Sequence, residues 1–219
     1  MDIGVLGGTG PAGQAVALRL ASAGLHVTMG SRSKERCVGI CTGLTQQWAE
    51  RDLPLQAGDN AEAATADLVI VATPWDAAAL TAGSVASALE GKVVVSMANA
   101  IVRLGDEFLP LFPPRGSIAA GVQAAVPGAF VAAALHHVPA RELADLDSEL
   151  DWDVLVCSDH AVALKATSEM INMVPGLRAL DAGRLSSAAP IEALTPVLLQ
   201  LNIRYKTHTS IRFTGIDHG

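Results

Sequence analysis

The sequence is poor in aromatic residues and in cysteine. Its 219 residues include 4 Phe, 3 Trp, 1 Tyr and 3 Cys. An odd number of cysteines without close pairing excludes a disulfide framework. Cys37 and Cys41 share one face of a predicted helix, but no further ligand accompanies them, which argues against a metal site. We interpret these two and Cys157 as buried or partly buried free thiols, and we predict no bound metal.

Charge and long apolar runs are also scarce. Charged residues make up 17% of the chain, with a formal net charge of −7. Because no basic stripe is present to neutralise phosphates, a nucleic-acid partner is not expected. No apolar run reaches the roughly 18 residues of a membrane span, so none is expected to cross a bilayer. The sequence opens on a strand pattern without a basic leader, and we predict a cytoplasmic protein.

Alanine, valine and leucine are abundant, in short apolar runs that alternate with helical segments. This alternation predicts an α/β fold of Rossmann type, a doubly wound, mainly parallel sheet. We predict strands at 2–6, 26–30, 54–57, 67–72, 92–97, 129–134, 153–157 and 178–181. We predict helices at 11–24, 33–51, 76–89, 117–125, 140–146, 159–174 and 188–206, and a proline-rich loop at 110–116. Residues 1–150 would form a dinucleotide-binding domain, and 151–219 a small C-terminal α/β lobe packed on it.

Three glycines lie between the first predicted strand and the first predicted helix. Their spacing, Gly8-x-Gly10-x-x-Gly13, is typical of a dinucleotide-binding turn in this context. Gly8 would allow the tight turn, Gly10 the approach of a pyrophosphate, and Gly13 the close packing of helix on strand. The amide groups at the start of the helix would bind the phosphates. A purely structural glycine turn is the alternative.

The end of the second predicted strand indicates which dinucleotide binds. An NAD site places a carboxylate there, where it accepts from the ribose 2′-hydroxyl. Here the strand ends in Ser31 and Arg32 instead. A hydroxyl and a guanidinium suit a 2′-phosphate, so we predict NADP, with Lys34 and Arg36 adding charge. The alternative is a solvated loop in which Ser33 caps the next helix.

Ligands of an open parallel sheet bind outside the carboxyl ends of the strands, a rule that selects three loops here. They cover residues 72–76, 96–100 and 134–140. Trp75 either forms a wall of the pocket for a cofactor ring or packs on top of the sheet as core. His136 and His137 would point to opposite sides, one toward the pocket and the other toward packing or solvent.

The last third of the chain is interpreted as packing and surface. Asp151, Asp153 and Asp159 would be helix caps and a solvated rim. The predicted helix at 188–206 has an apolar stripe at helical spacing, formed by Leu194, Val197, Leu198 and Leu201. That stripe either packs on the chain's own sheet or joins two copies. We predict a homodimer with twofold symmetry.

These motifs together resemble the F420:NADP oxidoreductases, which are NADPH-dependent reductases of the 8-hydroxy-5-deazaflavin coenzyme F420. The similarity runs through nearly the whole chain, with landmarks at 7–10, 30–32, 74–75, 135–140, 151–154, 176–183 and 192–196. The last two blocks are the most specific, because nothing in a general dinucleotide-binding fold requires them. The chain has Asn99-Ala100 where archaeal members have Val-Pro, and His137 where they have Thr. Both departures fall near the implied deazaflavin site.

The resemblance implies a role for each predicted site residue. The glycine loop would follow the pyrophosphate, and Thr9 with the end of the second strand would contact the 2′-phosphate. The loops at 98–100 and 136–139 would frame the nicotinamide and the deazaflavin ring stacked on it. His136, the predicted catalytic residue, would orient the deazaflavin or tune its charge. The predicted cofactor-binding residues are Gly8, Thr9, Gly10, Pro11, Ala12, Gly13, Ser31, Arg32, Arg36, Thr73, Pro74, Trp75, Met97, Ala98, Asn99, Ala100, His137, Val138 and Pro139.

The activity that the resemblance implies is hydride transfer between NADP(H) and the deazaflavin as second substrate. The protein would align two planar rings and exclude water from them. Two rival interpretations stay open. One is an NADPH-dependent reductase of a small imine or carbonyl compound, which would need a proton donor such as His136 or Asn99. The other is a non-catalytic NADP-binding redox sensor, which would need no second ring pocket.

Overall fold

The computed structural model describes residues 1–216 of the chain, and strands alternate with helices along that range. The strands are β1 Asp2–Leu6, β2 His26–Ser31, β3 Leu55–Asp59, β4 Leu68–Val71, β5 Val93–Ser96, β6 Ile101–Leu104, β7 Glu107–Pro110, β8 Phe130–Ala133, β9 Trp152–Ser158 and β10 Leu177–Asp181. The helices are α1 Pro11–Ser22, α2 Lys34–Gln47, α3 Asn60–Ala63, α4 Trp75–Ser84, α5 Ala86–Leu89, α6 Ile118–Ala125, α7 Ala140–Ala144, α8 Ala161–Asn172 and α9 Ala188–Tyr205. A single 3-10 turn, Leu185–Ser187, precedes α9.

Eight of the strands form one sheet in the order β10-β9-β8-β5-β4-β1-β2-β3. Neighbouring strands are parallel except for β8 and β9, which run antiparallel. The chain moves outward from β1 to β3 and then returns to β4 on the other side of β1. The topological switch point therefore lies between β1 and β4, where a crevice for ligands is expected. The predicted fold class is confirmed.

Both faces of the sheet carry apolar cores. The central strands β4 and β5 are buried along their whole length, as expected for parallel strands covered on two sides. Helices α1, α2 and α8 pack on one face, and α3, α4 and α6 pack on the other. Cys37, Cys41 and Cys157 are buried and free, as predicted. Within the part of the chain that the structure describes, no helix is long and apolar enough to span a membrane.

The segment between β5 and the predicted loop at 110–116 contains two strands that were not predicted. Strands β6 and β7 pair there as an antiparallel hairpin, which turns at Gly105 with a φ of 60°. A Gly-Asp pair between two apolar runs is a recognised hairpin signal, but Pro110 masked it, because proline weakens a strand pattern. Residues 111–116 form neither helix nor strand, in agreement with the predicted proline-rich loop. Strand β7 packs against α9.

Strands β9 and β10 continue the main sheet, and the division of the chain at residue 150 stays a prediction. Because β9 runs antiparallel to β8, its first residues lie at the carboxyl edge of the central strands. Asp153 stands there, and its predicted place on a solvated rim is wrong. Its side chain is fully buried and accepts two bonds from Arg178, at 2.6 and 2.8 Å, and one from Arg212 at 3.0 Å. The two arginines lie 25 and 59 residues further along the chain, so the sequence pattern did not show the pairing.

Asp153 also fixes the segment that follows α9. The amide of Phe213 donates to its carboxylate at 2.6 Å, and its own amide donates to the carbonyl of Ile211 at 2.8 Å. The Arg178 guanidinium holds the pKa of Asp153 down at about 2, with the Phe213 amide and Arg212 acting in the same direction. The segment at residues 211–213 is thereby attached to the edge of the sheet that carries the site.

Candidate active site

The glycine loop between β1 and α1 makes its turn at Gly7. That residue has a φ of +72°, a conformation that strains other residues. The turn was predicted at Gly8, which instead lies against β2. Its amide donates to the Gly30 carbonyl at 2.9 Å, and a Cβ on it would approach that of Met29 to 3.2 Å. The glycine at position 8 therefore serves close packing, while the one before it serves the turn.

Gly10 and Gly13 differ in what a side chain would meet. A Cβ on Gly13 would lie 2.8 Å from the Cα of Gly8, so the helix packs on the loop too closely for any side chain, as predicted. A Cβ on Gly10 would meet only the Gly7 carbonyl oxygen, at 3.7 Å. Gly10 is also the N-cap of α1 and supplies no side-chain cap. The start of α1 thus keeps an open backbone approach and the positive end of a helix dipole.

A cleft of about 550 Å³ opens beside this loop, at the switch point of the sheet. Its walls come from the glycine loop, the end of β2, the start of α2, the start of α3 and the loop that leads into α4. Seven predicted cofactor-binding residues line it, namely Thr9, Gly10, Ser31, Arg32, Arg36, Thr73 and Pro74. The other lining residues are Gly7, Ser33, Asn60, Ala72, Asp76, Ala77 and Thr81.

The end of β2 presents hydroxyl and guanidinium groups to the cleft. The Ser31 hydroxyl accepts from the Ser33 amide at 3.2 Å and lies 3.5 Å from the hydroxyl of Thr9. Ser33 caps α2 by accepting from the Arg36 amide at 3.3 Å, as the alternative interpretation had it. Capping and phosphate binding are compatible, because Arg32 and Arg36 both remain exposed on the cleft wall.

Lys34, the third basic residue of this segment, does not line the cleft. It was predicted to add charge beside Arg36, but its ammonium group pairs with the Glu62 carboxylate instead. Glu62 also closes a capping box with Asp59 at the start of α3. The positive charge that the cleft presents therefore comes from the two arginines.

Two more polar side chains belong to the cleft wall, Thr73, which was predicted to bind the cofactor, and Asn60, which was not. The Asn60 side-chain oxygen accepts from the Gly7 amide at 3.3 Å and so ties α3 to the glycine turn. The Thr73 hydroxyl is buried and has no hydrogen-bond partner within residues 1–216. A buried hydroxyl without a partner is costly, and a ligand in the cleft would satisfy it.

The loops after β5 and β8 are joined to each other and to the last helix. The His136 carbonyl oxygen accepts from the Asn99 amide at 2.8 Å and from the Thr195 hydroxyl at 2.9 Å. The same hydroxyl lies 3.1 Å from the Asn99 side-chain oxygen. The residue before the histidine, Leu135, has a φ of 66°, a strained conformation of the kind that collects at functional sites. A single carbonyl oxygen therefore joins three segments.

Both histidine side chains are buried, each in a residue only 3% exposed. One was predicted to face the pocket. Burial lowers the pKa of His136 to about 3, with the neighbouring His137 acting in the same direction, and burial lowers the pKa of His137 to about 4. The His137 ring nitrogen Nε2 accepts from the Leu155 amide at 3.4 Å. Both rings are thus neutral near neutral pH, and neither is a fixed cation.

A buried carboxylate on α9 faces the first of these rings. Glu192 accepts from the amides of Ile118 and Ala119, at 2.8 and 3.1 Å, where α6 begins. Its Oε1 lies 4.0 Å from the His136 Nε2. Burial raises the pKa of Glu192 to about 7, although the two amides favour its ionised form. Thr195 follows it by about one turn, so one face of α9 addresses this whole edge.

The remaining predicted residues fall into two groups. Near the cleft, Gly8, Pro11, Ala12 and Gly13 belong to the glycine loop and the first turn of α1. Trp75, at the first position of α4, is 37% exposed, so its place is a surface rather than a core. At the second group of loops, Met97, Ala98 and Ala100 are buried in the sheet cores, and Val138 and Pro139 are partly buried. The structure therefore places the predicted residues of the glycine loop, the end of β2 and the loop before α4 at an open cleft, and it packs most of the others.

Comparison with known proteins points in the same direction as these features. Residues 2–100 match the family model described as NADP oxidoreductase, coenzyme F420-dependent. The F420-dependent NADP reductase of Methanothermobacter marburgensis is 37% identical over 222 residues, covering 99% of this chain and 99% of its own. The chain belongs to the F420-dependent NADP reductase family. The Methanocaldococcus jannaschii member is also 37% identical, covering 99% of this chain and 100% of its own.

Solved structures show how far the family fold extends. An Arthrobacter protein described as a candidate F420-dependent NADP reductase has a TM-score of 0.80 and 26% identity, covering 97% of this chain and 100% of its own. An imine reductase of Streptomyces aurantiacus has a TM-score of 0.61 and 18% identity, covering 93% of this chain and 62% of its own. At that identity only the fold is shared.

Neither Asn60 nor Glu192 was among the predicted site residues, although Glu192 lies in the block at 192–196 that resembles the family. Each had a signal in the sequence. Asn60 follows an Asp59 that forms a capping box with Glu62, which marks the start of a short helix at the ligand edge. Glu192 stands between apolar neighbours in the first half of α9. A lone carboxylate in an apolar stretch of helix is expected to be buried with partners.

Proposed function

We propose that this protein transfers a hydride between NADP(H) and the deazaflavin coenzyme F420. The observation that carries the proposal is the full-length likeness to F420-dependent NADP reductases at 37% identity. The cleft at the switch point supports it independently, because its chemistry suits a dinucleotide with a 2′-phosphate.

The cleft residues fit NADP by three observations. The backbone at Gly10 is open enough for a pyrophosphate to approach. The Thr73 hydroxyl is buried without a partner in the described chain and offers a bond to a ligand. Arg32 and Arg36 supply two exposed guanidinium groups beside Ser31, the donors that a 2′-phosphate would use. We propose that these residues hold the adenosine half of NADP.

The loops after β5 and β8 are proposed to form the ring site. When bound, the two coenzymes supply the chemistry themselves, a hydride that moves between nicotinamide and deazaflavin rings. The protein's part is orientation and the exclusion of water, and orientation alone contributes up to about 7–11 kcal/mol. Asn99 and Thr195 fix the loop carbonyl beside this site. His136 is proposed to act on the deazaflavin, and direct contact would require its fully buried ring to be uncovered.

We also propose that two copies of the chain form a homodimer. The predicted stripe on α9 is divided, since Leu198 is buried in the chain's own core while Val197 is 53% exposed. Further apolar side chains are exposed nearby on the hairpin and the loop after it, namely Leu104, Leu109, Leu111 and Phe112. The proposed occupant of this surface is a second copy. We propose a cytoplasmic location, on the ground that three free thiols would persist in a reducing compartment.

The activity is tested by mixing the purified protein with NADPH and purified deazaflavin coenzyme under anaerobic conditions. Loss of the visible absorption band of the oxidised deazaflavin, with stoichiometric loss of NADPH, is expected. Tight NADPH binding without turnover would favour the sensor, and reduction of a small imine in its place would favour the rival reductase. Either result would overturn the proposal. A monomeric mass by light scattering at micromolar concentration would refute the homodimer.

A further inference from the structure

The His136 ring is polar, completely buried and unpartnered. Its side chain is 0% exposed, and within residues 1–216 neither ring nitrogen has a hydrogen-bond partner. The backbone of the same residue is firmly held, because its carbonyl oxygen accepts from both Asn99 and Thr195. The freedom left to this residue is the orientation of the ring and the choice of the nitrogen that carries the proton. A neutral imidazole must place its one proton on Nδ1 or on Nε2.

Glu192 is the acceptor best placed to make that choice. Its carboxylate is held by the amides of Ile118 and Ala119 at the start of α6, each bonded to one oxygen. A carboxylate oxygen can accept more than one bond, so Oε1 keeps capacity on the side of the ring. The distance from this oxygen to Nε2 is 4.0 Å, and a movement of about 1 Å would bring the pair into hydrogen-bond range.

We propose that Glu192 is a positioning residue whose carboxylate accepts a hydrogen bond from the Nε2–H group of His136, which fixes the neutral ring in the tautomer with an unprotonated Nδ1. Two residues of α9 would then hold His136, one through its backbone and one through its side chain. Thr195 fixes the loop carbonyl, and Glu192 fixes the side chain of the same residue. The inference about the tautomer depends on the geometry alone. Its consequence for turnover rests on the proposed function.

The tautomer is measured directly by ¹⁵N NMR of the uniformly labelled full-length protein, with the His136 signals identified by their loss in His136→Asn. The expected wild-type pattern has a protonated Nε2 and an unprotonated Nδ1. The opposite pattern, or an even mixture of tautomers, would overturn the proposal. This measurement needs no variant at Glu192 and no enzymatic activity, so a loss of folding in a Glu192 variant leaves it intact.

Two variants separate positioning from helix capping. Glu192→Gln removes the negative charge and replaces one carboxylate oxygen by an NH₂ group, which donates hydrogen bonds. The side chain then accepts less strongly from the His136 ring, so the Nε2-protonated pattern is expected to be lost. Ser117→Ala removes a different cap of the same helix, the bond from the Ala120 amide at 3.0 Å, without touching the ring. Both variants should lower the melting temperature, but only Glu192→Gln should change the His136 signals. Unchanged signals in Glu192→Gln would contradict the proposal.

Kinetics with the deazaflavin supply the second readout. Glu192→Gln is expected to lower kcat roughly two- to tenfold, the effect of one hydrogen bond, with the Kd for NADPH unchanged. Ser117→Ala should leave kcat per folded molecule unchanged. Equal losses in the two variants would reduce Glu192 to a structural role. If the wild-type protein fails to reduce the deazaflavin, the proposed function fails, while the NMR result still decides the tautomer.

Discussion

The two halves of the carboxyl edge are built in opposite ways. On the side of β1 and β2, which is proposed to bind adenosine, the glycine loop and the end of β2 leave an open cleft of about 550 Å³ with exposed arginines. On the side of β5 and β8, the loops are buried and joined to the last helix through the carbonyl oxygen of His136. The glycine loop and the arginines of the first half are set by local sequence, although Asn60 contacts the glycine turn from 53 residues away. Long-range contacts make the second half, since its partners come from the end of the chain.

This difference suggests a division of labour. An open cleft with donors already in place can bind a charged dinucleotide without rearrangement of the backbone. A closed loop region with buried, neutral histidines and a strained Leu135 suits the alignment of two rings more than proton transfer. Four substitutions would break or sharpen this contrast.

The largest effect is expected from loosening the closed half at Asp153. Asp153→Ala removes the buried carboxylate that the partly exposed Arg178 contacts, and it detaches the segment after α9. The carboxylate accepts from Arg178, Arg212 and the Phe213 amide, and bonds to a charged group contribute about 1.5–3 kcal/mol each, so the free energy of unfolding should fall by at least about 3 kcal/mol in urea titrations. Asp151→Ala is the control, because that carboxylate is 79% exposed and its contact with Arg212, at 3.4 Å, is worth little. Similar losses in the two variants would contradict the contrast.

The pH dependence of the same pair gives an independent check. The pKa of Asp153 lies near 2 in the folded protein, below its ordinary value of 3.8. Its contribution is therefore fully present above about pH 4 and is lost as the pH falls toward 2. The difference in unfolding free energy between wild type and Asp153→Ala should shrink over that window. A difference that stayed constant from pH 6 to pH 2.5 would show that the ion pair is not its source.

The second effect tests the open half at its glycines. Gly10→Val places a side chain where the cleft is open, so the protein should fold normally and lose NADPH. Two lost charge-assisted bonds of about 1.5–3 kcal/mol each would raise the Kd at least about 100-fold in calorimetric titration. Gly13→Val is expected to destabilise the fold itself, because its Cβ would lie 2.8 Å from the Cα of Gly8 and would force the glycine loop apart. Normal NADPH affinity in Gly10→Val would mean that the loop is structural only.

The third effect concerns the arginines of the cleft. Arg32→Ala should weaken NADPH binding by about 1.5–3 kcal/mol and leave NADH binding nearly unchanged, because only NADPH carries the 2′-phosphate. Lys34→Ala is the matched control, since Lys34 pairs with Glu62 and does not line the cleft. Fluorescence titration with both nucleotides measures the selectivity. Equal affinity of the wild-type protein for the two would contradict the assignment.

The same contrast explains what the sequence could and could not predict. The strands of the sheet and most of the cleft residues could be predicted, because a glycine spacing or the last residues of a strand indicate their role within a short stretch of sequence. The roles of Asn60, Asp153 and Glu192 could not be predicted, because they depend on partners far along the chain. The amide that Glu192 caps most closely lies 74 residues away, and the turn that Asn60 supports lies 53 residues away. Periodicity cannot encode such pairings, and burial of a polar side chain is their main physical trace.

The smallest effect is expected from a change in the closed half, at the carbonyl oxygen of His136 that Asn99 and Thr195 share. Thr195→Val keeps the shape of the side chain and removes the hydroxyl that bonds this oxygen at 2.9 Å and lies 3.1 Å from the Asn99 side chain. One such bond is worth about 0.5–1.5 kcal/mol, so a similar loss of stability is expected, while the Kd for NADPH stays at its wild-type value. Thr195→Ser retains the hydroxyl and should restore most of the loss. If NADPH affinity fell in Thr195→Val as much as stability did, the open cleft and the closed loops would be one coupled unit, and the contrast between them would be one of appearance only.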